Sequence, residues 1–171
     1  MPVVVPISPE KLLDAARALA GKGRGRPRSM FLRRAISSAY YALFHAISLQ
    51  AMAHVASNCS QEEQLLLARS VSHDAISSVC QWIARGNKGP AHAAALADSL
   101  RGTPIDYVAN IFLDLQEQRH AVDYDHLAQV SKPSAVAAIG DAEEAIVRLN
   151  RAGQRDREAF FSLIALKTTI K

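Results

Sequence analysis

Apolar residues recur at steps of three and four along most of the chain, the spacing that lines one face of an α-helix, and no run alternates in the strand manner. Val3-Val4-Val5 is the one β-like stretch and is too short to build a sheet. Ser8 as N-cap and Pro9 at the first helical position open a first helix that carries Leu12, Leu13, Ala16 and Leu19 and stops at Gly21. Residues 21–28 contain three Gly and a Pro and are predicted to form a loop. A second helix is predicted from about Ser29 to Ala56. Its two stripes, Leu32/Ile36/Ala39/Leu43/Ile47 and Phe31/Ala35/Ala42/Leu49, make it apolar on most sides, as a central bundle helix is. Ser60 with Glu63 three residues on forms a capping box for a third helix, predicted to run unbroken to Arg85 and end at Gly86.

After a loop over 86–90 and a short helix within 91–100, Thr103-Pro104 starts a fourth long helix that is predicted to reach about Asp125. A fifth begins near Ser131, with Pro133 in its first turn, and carries Ala135, Ile139, Ala142, Ile146 and Leu149. The run from Phe160 to Leu166 is too apolar to stand in water and should pack on the bundle or on a partner chain. The fold class these elements predict is all-α: an up-down bundle of four to five helices in a single domain over 1–171, with 29–150 as the core bundle and 151–171 as a C-terminal helix or tail.

Composition narrows the class. Of 171 residues, 49% are apolar and 21% charged, which excludes a disordered chain. No run of eighteen apolar residues suggests a membrane span. The segment Met1 to Ile7 lacks a basic region and is too short an apolar run for a signal peptide. Two cysteines, Cys59 and Cys80, make neither a disulfide framework nor a four-ligand metal set, so a reducing cytoplasm is the expected location. His45, His54, His73 and His92 are not spaced as a metal set, and Gly21-Lys-Gly-Arg-Gly has no strand before it, so no cofactor is expected. The net charge of +4 is unevenly placed: Lys22, Arg24, Arg26, Arg28, Arg33 and Arg34 fall together with no acid among them. Such a segment can hold RNA phosphates, or it can be a solvated loop.

The fourth helix carries the strongest chemical signal. Its inward stripe reads Ile105, Val108, Phe112, Leu115, then Arg119, Val122 and His126. In a regular helix, seven residues return to within roughly 20° of the starting direction and about 10.5 Å along the axis. Arg119 and His126 would then face one phosphate if the helix stays regular that far. Cleavage of RNA needs no metal when the 2′-hydroxyl attacks the adjacent phosphorus. It needs a proton carrier near neutral pKa, which His supplies, and a fixed cation over the phosphate oxygens, which Arg supplies as a planar fork. His120, one step off the stripe, is a second candidate for proton transfer. The spacing itself carries little, because Arg85 and His92 share it across Gly86, Gly89 and Pro90. Structural readings stand beside these: Arg119 and Asp123 are placed for an intrahelical ion pair, and His126 for a helix-end position. His73 and His45 read as core histidines. Of Tyr40 and Tyr41, one should face the core while the other reaches outward.

Met30-Phe-Leu-Arg-Arg-Ala-Ile-Ser-Ser-Ala-Tyr-Tyr-Ala-Leu-Phe-His45 resembles the second helix of HEPN-domain proteins, with its Arg-Ala-x-Ser-x-Ala-Tyr-Tyr-Ala-x-Phe-His pattern. Ser72-His73 resembles the Thr/Ser-His segment of the same subgroup, and Arg119-His-Ala-Val-Asp-Tyr-Asp125 resembles its Arg-x-x-Ala-Asp-Tyr segment. The resemblance implies a helical bundle that dimerises. In the family's nucleases an Arg-x(4–6)-His motif from each protomer lines the dimer cleft and cuts RNA without metal; Arg119, His120 and His126 match it at the longest spacing. The position two residues past His126 is Ala128, not the tyrosine that a partner nucleotidyltransferase modifies in one toxin–antitoxin mode. Two functions follow as expectations. One is a homodimeric, metal-independent endoribonuclease of a toxin–antitoxin or defence system. The other is a non-catalytic dimerisation module that partners a nucleotidyltransferase or another toxin–antitoxin component.

Overall fold

The computed structural model describes residues 7–21, 29–86 and 89–169. Among these residues it contains eight helices and no strand. They are α1 (Pro9–Gly21), α2 (Ser29–Val55), α3 (Gln61–Ala68), α4 (His73–Ala84), α5 (Ala91–Asp98), α6 (Pro104–Tyr124), α7 (Lys132–Arg151) and α8 (Gln154–Thr169). The all-α expectation holds, with more and shorter helices than the pattern suggests. None of the described helices is long and apolar enough to cross a membrane.

α2 and α6 form the centre. α2 packs against α1, α3, α6, α7 and α8, while α6 packs against α2, α4, α7 and α8. The stripe Leu32, Ile36, Ala39, Leu43 and Ile47 is buried along α2, together with fully enclosed Tyr40. Across from it, α7 presents Ala135, Ala138, Ala142 and Ala145, all buried. Small side chains at a helix contact let two axes approach closely, and dispersion contacts then accumulate. The apolar run near the C-terminus is part of this core: Phe160, Leu163 and Ile164 of α8 are fully enclosed and Phe161 nearly so. Most of that run therefore packs on its own bundle, while Leu166 at its end is exposed.

The predicted third helix is two helices. It breaks at Arg69-Ser70-Val71-Ser72, where successive amides bond to carbonyls three residues back and the Ser70 hydroxyl donates to the Leu67 carbonyl. Val71 turns into the core and Ser72 starts α4 by accepting from the Ala75 amide. Serine hydroxyls compete with the helical ladder and favour such ends. The break sets His73 at the first position of a new helix. α4 ends at Ala84, and Gly86 just beyond the Arg85 cap has a φ of +64°, the left-handed conformation that glycine adopts without strain. Gly89 lies flat against the ring of Trp82, so that a Cβ there would stand 2.8 Å from Cδ2.

α6 stops at Tyr124. Asp125 has ψ of 110°, which leaves the helical region, and its carboxylate accepts from the Leu127 amide in a turn. The predicted stripe thus ends at Val122, and His126 lies beyond the helix.

Candidate functional site

The polar residues of interest gather where α2, α4 and the C-terminal half of α6 meet. Arg119 sits on the inward side of α6 with 17% of its side chain exposed. Its Nε approaches Asp123 Oδ2 at 2.9 Å, an ion-pair distance, although the N–H is not aligned for a hydrogen bond. Nη2 donates to the Tyr41 hydroxyl at 3.1 Å. The guanidinium carbon lies 5.9, 5.6 and 5.5 Å from the ring centres of Tyr40, Tyr41 and Tyr124, inside an aromatic cage that favours a cation. Burial works against the charged guanidinium, but Tyr41, Tyr124 and Asp123 outweigh it and hold its pKa above the ordinary value. Nη1 makes no hydrogen bond among the described residues. Asp123 is fixed from a second side by the Ser37 hydroxyl at 2.6 Å.

Arg33, one of the basic residues considered for an RNA grip, has its guanidinium engaged within the fold. Its Nη1 donates to the carbonyls of Val122 and Asp125, both at 2.8 Å, and its Nη2 to those of Ala128 at 2.6 Å and His126 at 3.5 Å. Carbonyls at a helix C-terminus lack amide partners, and a planar fork of donors satisfies several at once. Arg33 thereby ties the end of α6 and the turn after it to the first turns of α2. Arg34, by contrast, is exposed. Lys22, Arg24, Arg26 and Arg28 lie outside the described residues.

An open cleft of about 550 Å³ lies between these two helix ends, lined by Ser29, Met30, Arg34, Asp123, Tyr124 and His126 among others. Arg119 is one layer behind its wall, in contact with Asp123 and Tyr124. His126 reaches the cleft from the turn rather than from the helical face that carries Arg119. His120 is exposed, with its ring centre 5.2 Å from that of Tyr124. Met30, Tyr124 and Leu127 are exposed around the same end, Leu127 by 88%.

On the other side of Arg119 lie residues that the chain's spacing does not link to it. Tyr40 is sealed, and its hydroxyl meets His73 Nδ1 at 2.6 Å. His73 stacks on Phe44 with ring centres 3.9 Å apart and meets Tyr41 edge-on at 5.8 Å. His45 stacks on Tyr41 at 6.4 Å. Burial, then the nearby Arg119 and His45, lower the pKa of His73, while Asp74 opposes them; burial alone lowers that of His45. Burial pushes the Tyr40 phenol well above its ordinary range. The reading of His73 as a satisfied histidine fits the Tyr40 bond, and of the two tyrosines Tyr40 is the buried one. Among the described residues no three His, Cys, Asp or Glu side chains converge as metal ligands.

Compared with protein-family models, curated proteins and solved structures, the chain has no significant match.

Proposed function

We propose that the chain is a HEPN-like protein that acts on RNA as a homodimer, as a metal-independent endoribonuclease of a toxin–antitoxin or defence system. The observation that carries this reading is Arg119: a guanidinium oriented by Tyr41, Asp123 and three tyrosine rings, with Nη1 left for a phosphate, beside an open cleft that holds Arg34 and His126. The three sequence segments that resemble the family contribute the residues of this cluster: Tyr40, Tyr41 and His45 from the first, His73 from the second, Arg119, Asp123 and Tyr124 from the third.

In the proposed reaction His126 takes the proton of a ribose 2′-hydroxyl, and the oxygen attacks the adjacent phosphorus. The 5′-oxygen of the next nucleotide leaves with a proton, returned by His120 or His126. The product carries a 2′,3′-cyclic phosphate. Arg119 stabilises the charge that builds on the phosphate oxygens. Arg34 holds the strand near the cleft, and the basic residues Lys22 to Arg28 extend that grip. Exposed Met30, Tyr124 and Leu127 offer apolar surface to a second copy. The test is cleavage of RNA by purified protein in excess chelator, with end-group analysis. Arg119→Ala and His126→Ala should each abolish it while the dimer persists. Cleavage at the parental rate by both variants overturns the assignment.

The Arg119–Asp123 pair and the Arg33 cap favour a second reading, because both are structural uses of a cation. In that reading the chain is a non-catalytic module whose exposed α2–α6 end binds a second copy, a nucleotidyltransferase or another toxin–antitoxin component. Stable association with such a partner, together with absence of cleavage, would select it.

A further inference from the structure

We propose that Tyr41, His45 and His73 join Arg119 in an anion site that takes the tetrahedral oxygens of a phosphate group. The inference shares Arg119 with the reading above but does not require cleavage.

The argument is a count of donors and acceptors. Tyr40 is fully enclosed, so its hydroxyl hydrogen must find an acceptor or be left unsatisfied at substantial cost. Its neighbours are His73 Nδ1 at 2.6 Å and Gln116, whose amide oxygen already accepts from the Ser77 hydroxyl and whose amide N–H therefore donates to the Tyr40 oxygen. The phenol stays protonated because burial disfavours the phenolate. Tyr40 therefore donates, His73 accepts at Nδ1, and the imidazole proton is confined to Nε2. Stacking on Phe44 and the edge contact with Tyr41 fix the plane of that ring. His73 is thus held as a neutral imidazole with one N–H aimed away from its Tyr40 bond.

Tyr41 continues the count. Its oxygen accepts from Arg119 Nη2, and its own hydrogen has no acceptor among the described residues. The ring nitrogens of His45, stacked on Tyr41, also make no hydrogen bond among the described residues. Arg119 adds Nη1. Tyr41, His45, His73 and Arg119 are all half-buried, so water and small solutes can reach them. The charged or titratable groups that bear on His73 are Tyr40, Tyr41 and His45 from α2, Arg119 from α6, and Asp74 from α4 itself. Asp123, the carboxylate on the inner side, is already engaged by Arg119 and Ser37. The ring centres of His45 and His73 and the Arg119 guanidinium all lie 5.6–6.4 Å from the Tyr41 ring, on three adjoining helices, and the acceptor these donors lack is an oxyanion. On α2, Arg34, Ser37, Tyr41 and His45 follow one another at helical spacing, over about 17 Å, so the site extends the cleft along the same face.

The phosphate can belong to a free phosphate ester or to an RNA backbone, and the titration separates these. Full-length ¹⁵N-labelled protein is examined by long-range ¹H–¹⁵N histidine spectra near pH 7.5, then titrated with inorganic phosphate, a nucleoside 5′-monophosphate and a short oligoribonucleotide that cannot be cleaved. The expected result is an Nε2–H tautomer for His73, with His73 and His45 shifting together as phosphate is added. Tyr41→Phe, which keeps the ring and removes the hydroxyl, should weaken phosphate by about tenfold or more. Displacement of phosphate by the oligoribonucleotide assigns the site to the backbone; displacement by the monophosphate alone assigns it to a terminal ester. An Nδ1–H tautomer, or no movement of either imidazole at saturating phosphate, overturns the proposal. RNA cleavage without these shifts would do so while leaving the nuclease reading intact, and shifts without cleavage would do the reverse.

Discussion

The two halves of α6 share one regular helix but meet different neighbours. From Ile105 to Leu115 the inward positions are Ile105, Val108, Ala109, Phe112, Leu113 and Leu115, all buried in apolar contact. From Gln116 to Tyr124 only Val122 is buried, and the same stripe carries Arg119. The 3.6-residue repeat is unchanged between them. What changes is the facing chemistry: α2 supplies Ser37 and Tyr41 at the level of Arg119 and Asp123, so a cation and a carboxylate can stand on a core-facing stripe with partners. The first half of the helix sets stability, and the second half positions charge.

Substitutions can break that comparison. Phe112→Ala in the first half should cost about 3–5 kcal/mol in unfolding free energy, read by denaturant titration. Arg119→Ala in the second half should leave the helical circular dichroism spectrum in place and, under the proposed nuclease reading, abolish RNA cleavage, a loss of at least roughly 10²–10³-fold in single-turnover assays. Arg33→Ala removes the donor of several carbonyl bonds and should cost about 1.5–3 kcal/mol. Its hydrogen-exchange signature should be faster exchange at Leu127 and Ala128 than in the parent, and Arg33→Lys should restore little, because a point charge cannot span four carbonyls. Ser37→Ala, which leaves Asp123 with Arg119 alone, should cost about 1 kcal/mol by the same measurement.

The smallest expected effect is on the pH dependence. His73 and His45 have folded-state pKa values below that of free histidine, 6.5. The unfolded chain then binds more protons in that range, so stability rises with pH there. It is fully present above about pH 6.5 and declines as pH falls toward the folded values. The melting temperature measured between pH 7.5 and 5 should therefore fall, and fall less in His45→Asn.

Helix positions were legible because burial imposes a repeat: Ser8, Ser60, Thr103 and Ser131 all start helices as their capping chemistry suggests. The break at 69–72 was not, since Arg-Ser-Val-Ser contains neither Gly nor Pro and leaves the helix where the Ser70 and Ser72 hydroxyls engage the backbone and Val71 is drawn into the core. The pairing of Arg119 with His126 needs the helix to stay regular to residue 126, and α6 ends at Tyr124, so His126 is off the face of Arg119. Arg33, some ninety residues earlier in the chain, satisfies the carbonyls around this end, and no local pattern announces that contact. Arg119 and its Asp123 partner were legible as an i, i+4 pair. The links to Tyr41 and from Tyr40 to His73 were not, because they join different helices and register in no spacing.

The close seat of Gly89 on Trp82 has a practical side. This is the chain's single tryptophan, and it lies on the same helix that begins at His73. Its emission therefore reports one corner of the bundle without competing indoles. A shift in wavelength on adding phosphate would reveal motion carried along α4 from one end to the other, and a silent fluorophore would localise the response to the histidine end.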